Sequence, residues 1–217
     1  MKLPWNGDTT RRNGKSRARS LPEPGASREA SAADLAGLAP GDAISFWGEG
    51  NRLVSCVFDC GEGIGEQRYT WHWIFLDDGS LVESSADGWW RYTEHEILPQ
   101  GSPRYAALVG HDGALEQFEA RVRNDTVHDD PALVQLQGRP YRVTSTGTVG
   151  VARHGEPPRL SPWQRFVSEA EENVYFSLVC TEDEEVGVLG IWTSHVCLSF
   201  GRPIGLTDID AVFRRPR

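Results

Sequence analysis

Four groups of residues in this chain have types and spacings that bear on chemistry. The first is Glu94-His95-Glu96 together with His72. Two imidazoles and a carboxylate suffice to hold a divalent transition metal. On a strand, however, Glu94 and Glu96 share one face and His95 takes the other, so alternation keeps the three off a single ion. His72 joins them only if its strand pairs opposite His95. The metal reading therefore names His72, His95, Glu94 and Glu96; the plainer reading makes them polar positions on a half-exposed sheet. The second group is His195 and Cys197, with Cys180 nearby, which has the composition of a Cys–His nucleophile pair. Side chains at i and i+2 stand about 6–7 Å apart on a strand, too far for a hydrogen bond without bending. Core thiols and a surface histidine are the expectation there, with Val196, Leu198 and Phe200 on the other face.

The third group, Gly61-Glu62-Gly63-Ile64-Gly65, is glycine-rich and follows a strand. A phosphate loop needs a helix after it, and here Glu66-Gln67-Arg68-Tyr69 leads into a strand while Glu62 repels anions. A long hairpin loop is expected. The fourth group is aromatic: Trp71 and Trp73 on one strand, Trp89, Trp90 and Tyr92 on a neighbour. Exposed, such a strip recognises proteins or flat ligands, and these five are the candidate binding residues. Buried, the same rings fill the core of a small β domain. Trp89 and Trp90 are adjacent, so one of them is expected to face away from the core. No motif assigns a catalytic residue, and no cofactor is expected.

The elements that would position these residues are mostly strands. The chain has 23 Gly, 13 Pro and one Met in 217 residues, a composition that leans towards short strands and turns. The clearest strand is Arg68 to Leu76, with Tyr69, Trp71, Trp73 and Phe75 at period two. Thr70, His72, Ile74 and Leu76 take its other face. Before it come Ala43 to Trp47 and Arg52 to Asp59, where Val54, Cys56 and Phe58 are placed together. After it, the turn Asp77-Asp78-Gly79 leads to Ser80–Ser85 and Trp89–Leu98. A connecting segment, 99–131, holds one helix, Gly113 to Arg123, presenting Leu115, Phe118 and Val122. A second β region follows over 132–217. It comprises Ala132–Gln137, Tyr141–Thr146, Thr148–Arg153, Val174–Cys180, Val186–Trp192, His195–Phe200 and a closing element at Thr207–Phe213. The expected architecture is an antiparallel meander, sandwich or barrel-like fold. It has two similar β halves, 31–98 and 132–217, and at most one or two short helices.

Charge is unevenly spread. Residues 1–34 hold seven of the 22 Lys and Arg and four of the 31 Asp and Glu, leaving 15 against 27 in the rest. The tail is thus +3 and the body −12, which repels nucleic acid and anionic lipid at long range. Residues 1–30 read as a disordered basic tail, able to add weak contact with a membrane surface or nucleic acid, and Ser31-Ala32-Ala33-Asp34 as a capping box. Residues 1–30 contain no apolar leader, and no run of about 18 apolar residues occurs anywhere. A cytoplasmic protein with no membrane-spanning segment is expected, with Cys56, Cys60, Cys180 and Cys197 reduced.

Several motifs fall in an order that resembles a bacterial family designated domain of unknown function four-one-seven-eight. Leu38-Ala39-Pro40-Gly41-Asp42 is similar to its L-x-x-G-D opening. Tyr69-Thr70-Trp71, followed by Leu76 and Gly79, is similar to its aromatic strand and turn. Gln137-Gly138-Arg139-Pro140-Tyr141-Arg142 is similar to a later hairpin, and Gly205-Leu206-Thr207-Asp208-Ile209-Asp210 to its close. The likeness spans residues 38–213. It departs after the turn, where the family's Trp-Leu pair is replaced by Leu81-Val82, with Trp89-Trp90 later. The resemblance implies an accessory role linked to the envelope or to membrane stress. The expected function is a non-enzymatic protein-binding or scaffold module. The alternatives are a metal-dependent or other enzyme with a site near His72 and His95, and an acidic immunity or inhibitor protein.

Overall fold

The computed structural model describes residues 35–64, 67–159, 161–165, 173–183, 187–192 and 195–216. The expected basic tail and the capping box at residues 31–34 lie outside them. The fold is mostly antiparallel β. Its strands are β1 (Ala43–Phe46), β2 (Gly50–Ile64), β3 (Gln67–Leu76), β4 (Leu81–Ser85), β5 (Gly88–Leu98), β6 (Leu133–Leu136), β7 (Arg139–Gly155), β8 (Asn173–Cys180), β9 (Gly187–Trp192), β10 (Val196–Ile204) and β11 (Ile209–Phe213). Two helices, α1 (Pro103–Val109) and α2 (Ala114–Arg123), lie between β5 and β6.

The strand order is β11-β1-β2-β3-β4-β5-β10-β9-β8-β7-β6, and β2 also pairs with β7. That extra pairing, Cys56↔Gly155 through Gly61↔Gly150, curls the sheet until β2 to β5 and β7 to β10 form a closed ring. The two expected β halves therefore contribute four strands each to one ring and share its interior. Inside stand Phe58, Trp71, Trp73, Phe75, Tyr92 and Tyr175, with Trp163 inserted from the 3₁₀ turn Pro162–Arg165. Their rings meet edge-on or tilted, Trp71–Tyr175 at 5.0 Å and Trp73–Trp163 at 5.4 Å between centroids. Such pairs add to the large area each ring buries.

The outer wall is covered in two places. Helix α2 lays Leu115 and Phe118 on it beside Leu98, Val134, Phe176 and Leu198. Val122, expected on the same face, is exposed, because the helix meets the sheet through its first two turns. Helix α1 is too short to show an apolar period; its only local signal is Ser102-Pro103, where the Ser102 hydroxyl accepts from Tyr105 N at 3.2 Å. On the other side, β1 and β11 cover Val54, Val57, Ile74 and Val82 together with Leu35 and Leu38.

Three bulges decide which residues face in. An extra residue sits at Ser55 in β2, at Thr93 in β5 and at Thr144 in β7. The first sends Val54 outward and Cys56 and Phe58 inward, which corrects the grouping of all three on one face. The third lets Tyr141 and Val143 face outward while Val149 and Val151 face inward. It also lets β7 run unbroken through Gly147, where two strands were expected. Gly61 to Ile64, expected as loop, instead extend β2, because β3 continues to pair with them and β7 takes up Gly61.

The β5 bulge depends on Gly201. A Cβ there would lie 2.0 Å from the Arg91 carbonyl oxygen and 2.6 Å from Tyr92 Cα, both backbone atoms. Gly201→Ala is predicted to destabilise the fold by about 1–3 kcal/mol, the usual range for overpacking. Urea denaturation checks this, and an unchanged midpoint would count against the bulge geometry.

Candidate functional site

An open cleft of about 480 Å³ lies on the outer wall, beside the β5 bulge. Its floor is β5 and β10, through Arg91, Thr93, Glu94, Phe200 and Arg202. Two hairpins wall it. The β1–β2 turn supplies Phe46, Trp47 and Glu49, and Gly48 adopts φ 77° at its tip. The β6–β7 turn, with Gln137 and Gly138 at φ 50° and 75°, supplies Arg139 and Tyr141. Asp208 closes one side, and its carbonyl holds Trp47 N at 3.1 Å.

Trp47 is 65 % exposed, the largest exposed apolar side chain among the described residues. Its signal in the sequence was an indole set against a glycine-rich turn. Below it, Arg91 stacks its guanidinium 4.0 Å over the Phe46 ring and pairs with Glu49 at 2.8 Å. A longer contact, 3.5 Å, joins it to Asp78, which Arg52 holds at 2.7 Å. Burial acts to raise the Asp78 pKa, but hydrogen bonds from Ser80 and the two arginines leave it below the usual carboxylate value. The Arg91 Nε is buried without a hydrogen-bond partner. Arg139 has Glu182 at 3.5 Å, while Arg202 is exposed. The cleft thus combines cations, carboxylates and aromatic faces.

The expected binding residues lie elsewhere. Trp71, Trp73 and Tyr92 are buried inside the ring and present no surface. Trp89 and Trp90 do point to opposite sides of β5, but both sides are covered. Trp90 packs on the interior and Trp89 on the β1–β11 side, each half-buried.

The four residues of the metal reading are dispersed. His72 pairs in register with Ser84, and Ser84 with Trp89, so His95 lies six positions, roughly 20 Å, further along β5. His72 faces outward and bonds Asp59; His95 faces inward. Glu96 is held by the Arg104 guanidinium of α1, with Nη2 at 2.8 Å, and Glu94 lines the cleft.

His95 sits in a directional chain. Its Nε2 is 2.9 Å from the Gly79 carbonyl oxygen, which only accepts, so this nitrogen carries the proton. Its Nδ1 then accepts from Ser199 Oγ at 2.8 Å, and that hydroxyl accepts from Trp163 Nε1 at 3.1 Å. This is a serine–histidine contact, but Ser199 is fully buried beneath Trp163 and closed to substrate. Cys197 and Cys180 face opposite sides of the wall, the first inward and the second towards the helices. All four cysteines are buried and none forms a disulfide among the described residues. Burial pushes the Cys56 thiol up to about 12 and Cys197 higher still.

Comparison with family models, curated proteins and solved structures yields no match. No helix among the described residues is long and apolar enough to cross a membrane.

Two predictions follow from the interior. Cys56 and Cys197 are expected to resist a thiol reagent at pH 8 in the native protein and to react fully in denaturant; rapid native labelling would contradict the burial. Burial lowers the His95 pKa, against the opposing pull of the Gly79 carbonyl and Asp78. In the unfolded chain this imidazole titrates near about 6.5, so it takes up its proton first as the pH falls. The stabilisation is therefore complete above that value and is lost below it. Unfolding free energy measured from pH 7 to 5 should decline less steeply in His95→Gln than in the parent chain.

Proposed function

We propose that this chain is a non-enzymatic binding or scaffold module that takes a protein partner at the outer-wall cleft. The observation that supports the reading most is the exposed Trp47 lining the same 480 Å³ concavity as Arg91, Arg139 and Arg202. Tryptophan and arginine dominate the energetics of protein interfaces, and half-open aromatic pockets anchor them. Arg91 and Arg202 sit on paired strands of the closed ring, and the two hairpins carrying Trp47 and Arg139 join strands paired to it, an arrangement that favours a preformed surface. An accessory role near the envelope is part of the same proposal; it rests on the motif order of residues 38–213 alone, since no family model matches the chain. Residues 1–30, with their excess of Lys and Arg, would add weak attraction to an anionic surface, about 1 kcal/mol per charge near lipid.

The test is co-purification from the native host with the full chain and two variants. Trp47→Ala is expected to weaken the main partner by about 2 kcal/mol or more, roughly thirtyfold. Trp89→Phe, on the covered side of β5, should leave it unchanged. A partner held equally by the parent chain and Trp47→Ala would place the interface elsewhere.

A further inference from the structure

Six charged residues line the outer-wall cleft: Glu49, Arg91, Glu94, Arg139, Arg202 and Asp208. Four of them are already engaged. Arg91 pairs with Glu49 at 2.8 Å, Arg139 has Glu182 at 3.5 Å, and Asp208 Oδ2 accepts from Gly205 N at 2.7 Å. Glu94 and Arg202 have neither an ion pair nor a side-chain hydrogen bond among the described residues, and both are exposed. Neighbouring strands carry them. Glu94 on β5 is in register with Phe200, and Arg202 stands two residues further along β10, opposite Arg91. Side chains two apart on a strand share a face and stand about 6–7 Å apart. We propose, on the footing that this cleft is the partner's site, that its occupant is an extended segment of the partner protein with an acidic side chain on Arg202 and a basic one, two residues away, on Glu94.

The chemistry fits in three respects. An extended chain presents alternate side chains on one face at the same spacing, so one segment reaches both charges without bending. Covering either charge with an apolar partner would strip its hydration uncompensated, and an opposite charge at each offsets that loss. Arg202 also faces Arg91 directly across the two strands. Like charges so placed repel; Glu49 neutralises Arg91, and a partner carboxylate would supply the counter-charge that Arg202 lacks. The mixed signs disfavour a polyanion, because phosphates drawn to Arg202 meet Glu94 on the same floor, with Glu49 and Asp208 beside it. Tyr141 adds a neutral contact. It lines the cleft at 1 % exposure, and its hydroxyl has no hydrogen-bond partner among the described residues, which leaves a donor for a main-chain carbonyl of the segment.

The experiment screens the full chain against N-acetylated, C-amidated heptapeptides. Each carries Glu and Lys two positions apart, in either order, with Leu or Trp beside the pair. Control peptides carry Gln in place of one or both charges, or phosphoserine in place of Glu. Peptides with both charges are expected to bind best, in one of the two orders, and to weaken roughly fivefold or more in Arg202→Gln and in Glu94→Gln. Exchanging the charges, Arg202→Glu with Glu94→Arg, should reverse the favoured order, a change that a folding defect cannot mimic. Urea unfolding of each variant checks that the fold is kept. Where the peptides are too weak to measure, the same variants are read against the partner that co-purifies with the full chain, and each single variant is expected to lose it. Indifference to Arg202 and Glu94, tighter binding of the phosphoserine peptides, or an order left unreversed by the exchange overturns the proposal. Binding lost in Trp47→Ala but kept in Arg202→Gln and Glu94→Gln leaves the cleft as the interface and removes only its charge requirement. Binding kept in all three, or no binding of either kind, removes both.

Discussion

Pairing between β2 and β7 is the constraint on which the rest of this molecule depends. Without it the strands would form an open sheet with one dry face. With it the sheet encloses an interior, and the strands of the ring must also bury parts of their outer surface against α1, α2, β1 and β11. Trp71, Trp73 and Trp163 meet the inner half of that demand. Wide aromatic rings fill an enclosed space that aliphatic side chains at the same positions would leave partly empty. Trp163 completes the filling from a turn rather than from a strand.

The bulges convert this plan into a surface with features. A regular ladder presents alternate residues to a smooth wall, whereas an inserted residue tilts the strand and opens a local hollow. At Thr93 the insertion leaves Arg91 and Glu94 both facing outward, and Gly201 lets the two backbones approach. The cleft follows from that distortion and from the hairpins on either side. Its guanidiniums are held differently: Arg91 is committed to Glu49 and the Phe46 ring, while Arg202 extends into solvent.

Much of the ring was legible in the sequence because it rests on local alternation. Period-two aromatics announce β3 and put Trp71, Trp73 and Phe75 on one face, which is the dry one; that Ile74 and Leu76 on the other face are also covered was not read from the sequence. What escaped reading is non-local or leaves no compositional trace. Ser55, Thr93 and Thr144 are ordinary strand residues, so nothing in their type shows that each adds a step to the ladder. The Val54–Cys56 grouping failed for that reason. Asp59 and His154 are 95 positions apart, and their contact exists only because the ring closes. Trp47 was visible, but only the approach of Arg139 and Arg202 from distant strands makes its surroundings a cleft.

Closure also bears on how the chain is made. Residues 56–61 emerge from the ribosome about ninety positions before 150–155, their partners along the seam. During that interval β2 carries an unsatisfied backbone edge and a row of side chains destined for a dry interior, the combination that invites intermolecular pairing. Contacts this distant along the polymer also form late and slowly. Until residues 150–155 have been made, the first β region lacks the strand that closes its open edge.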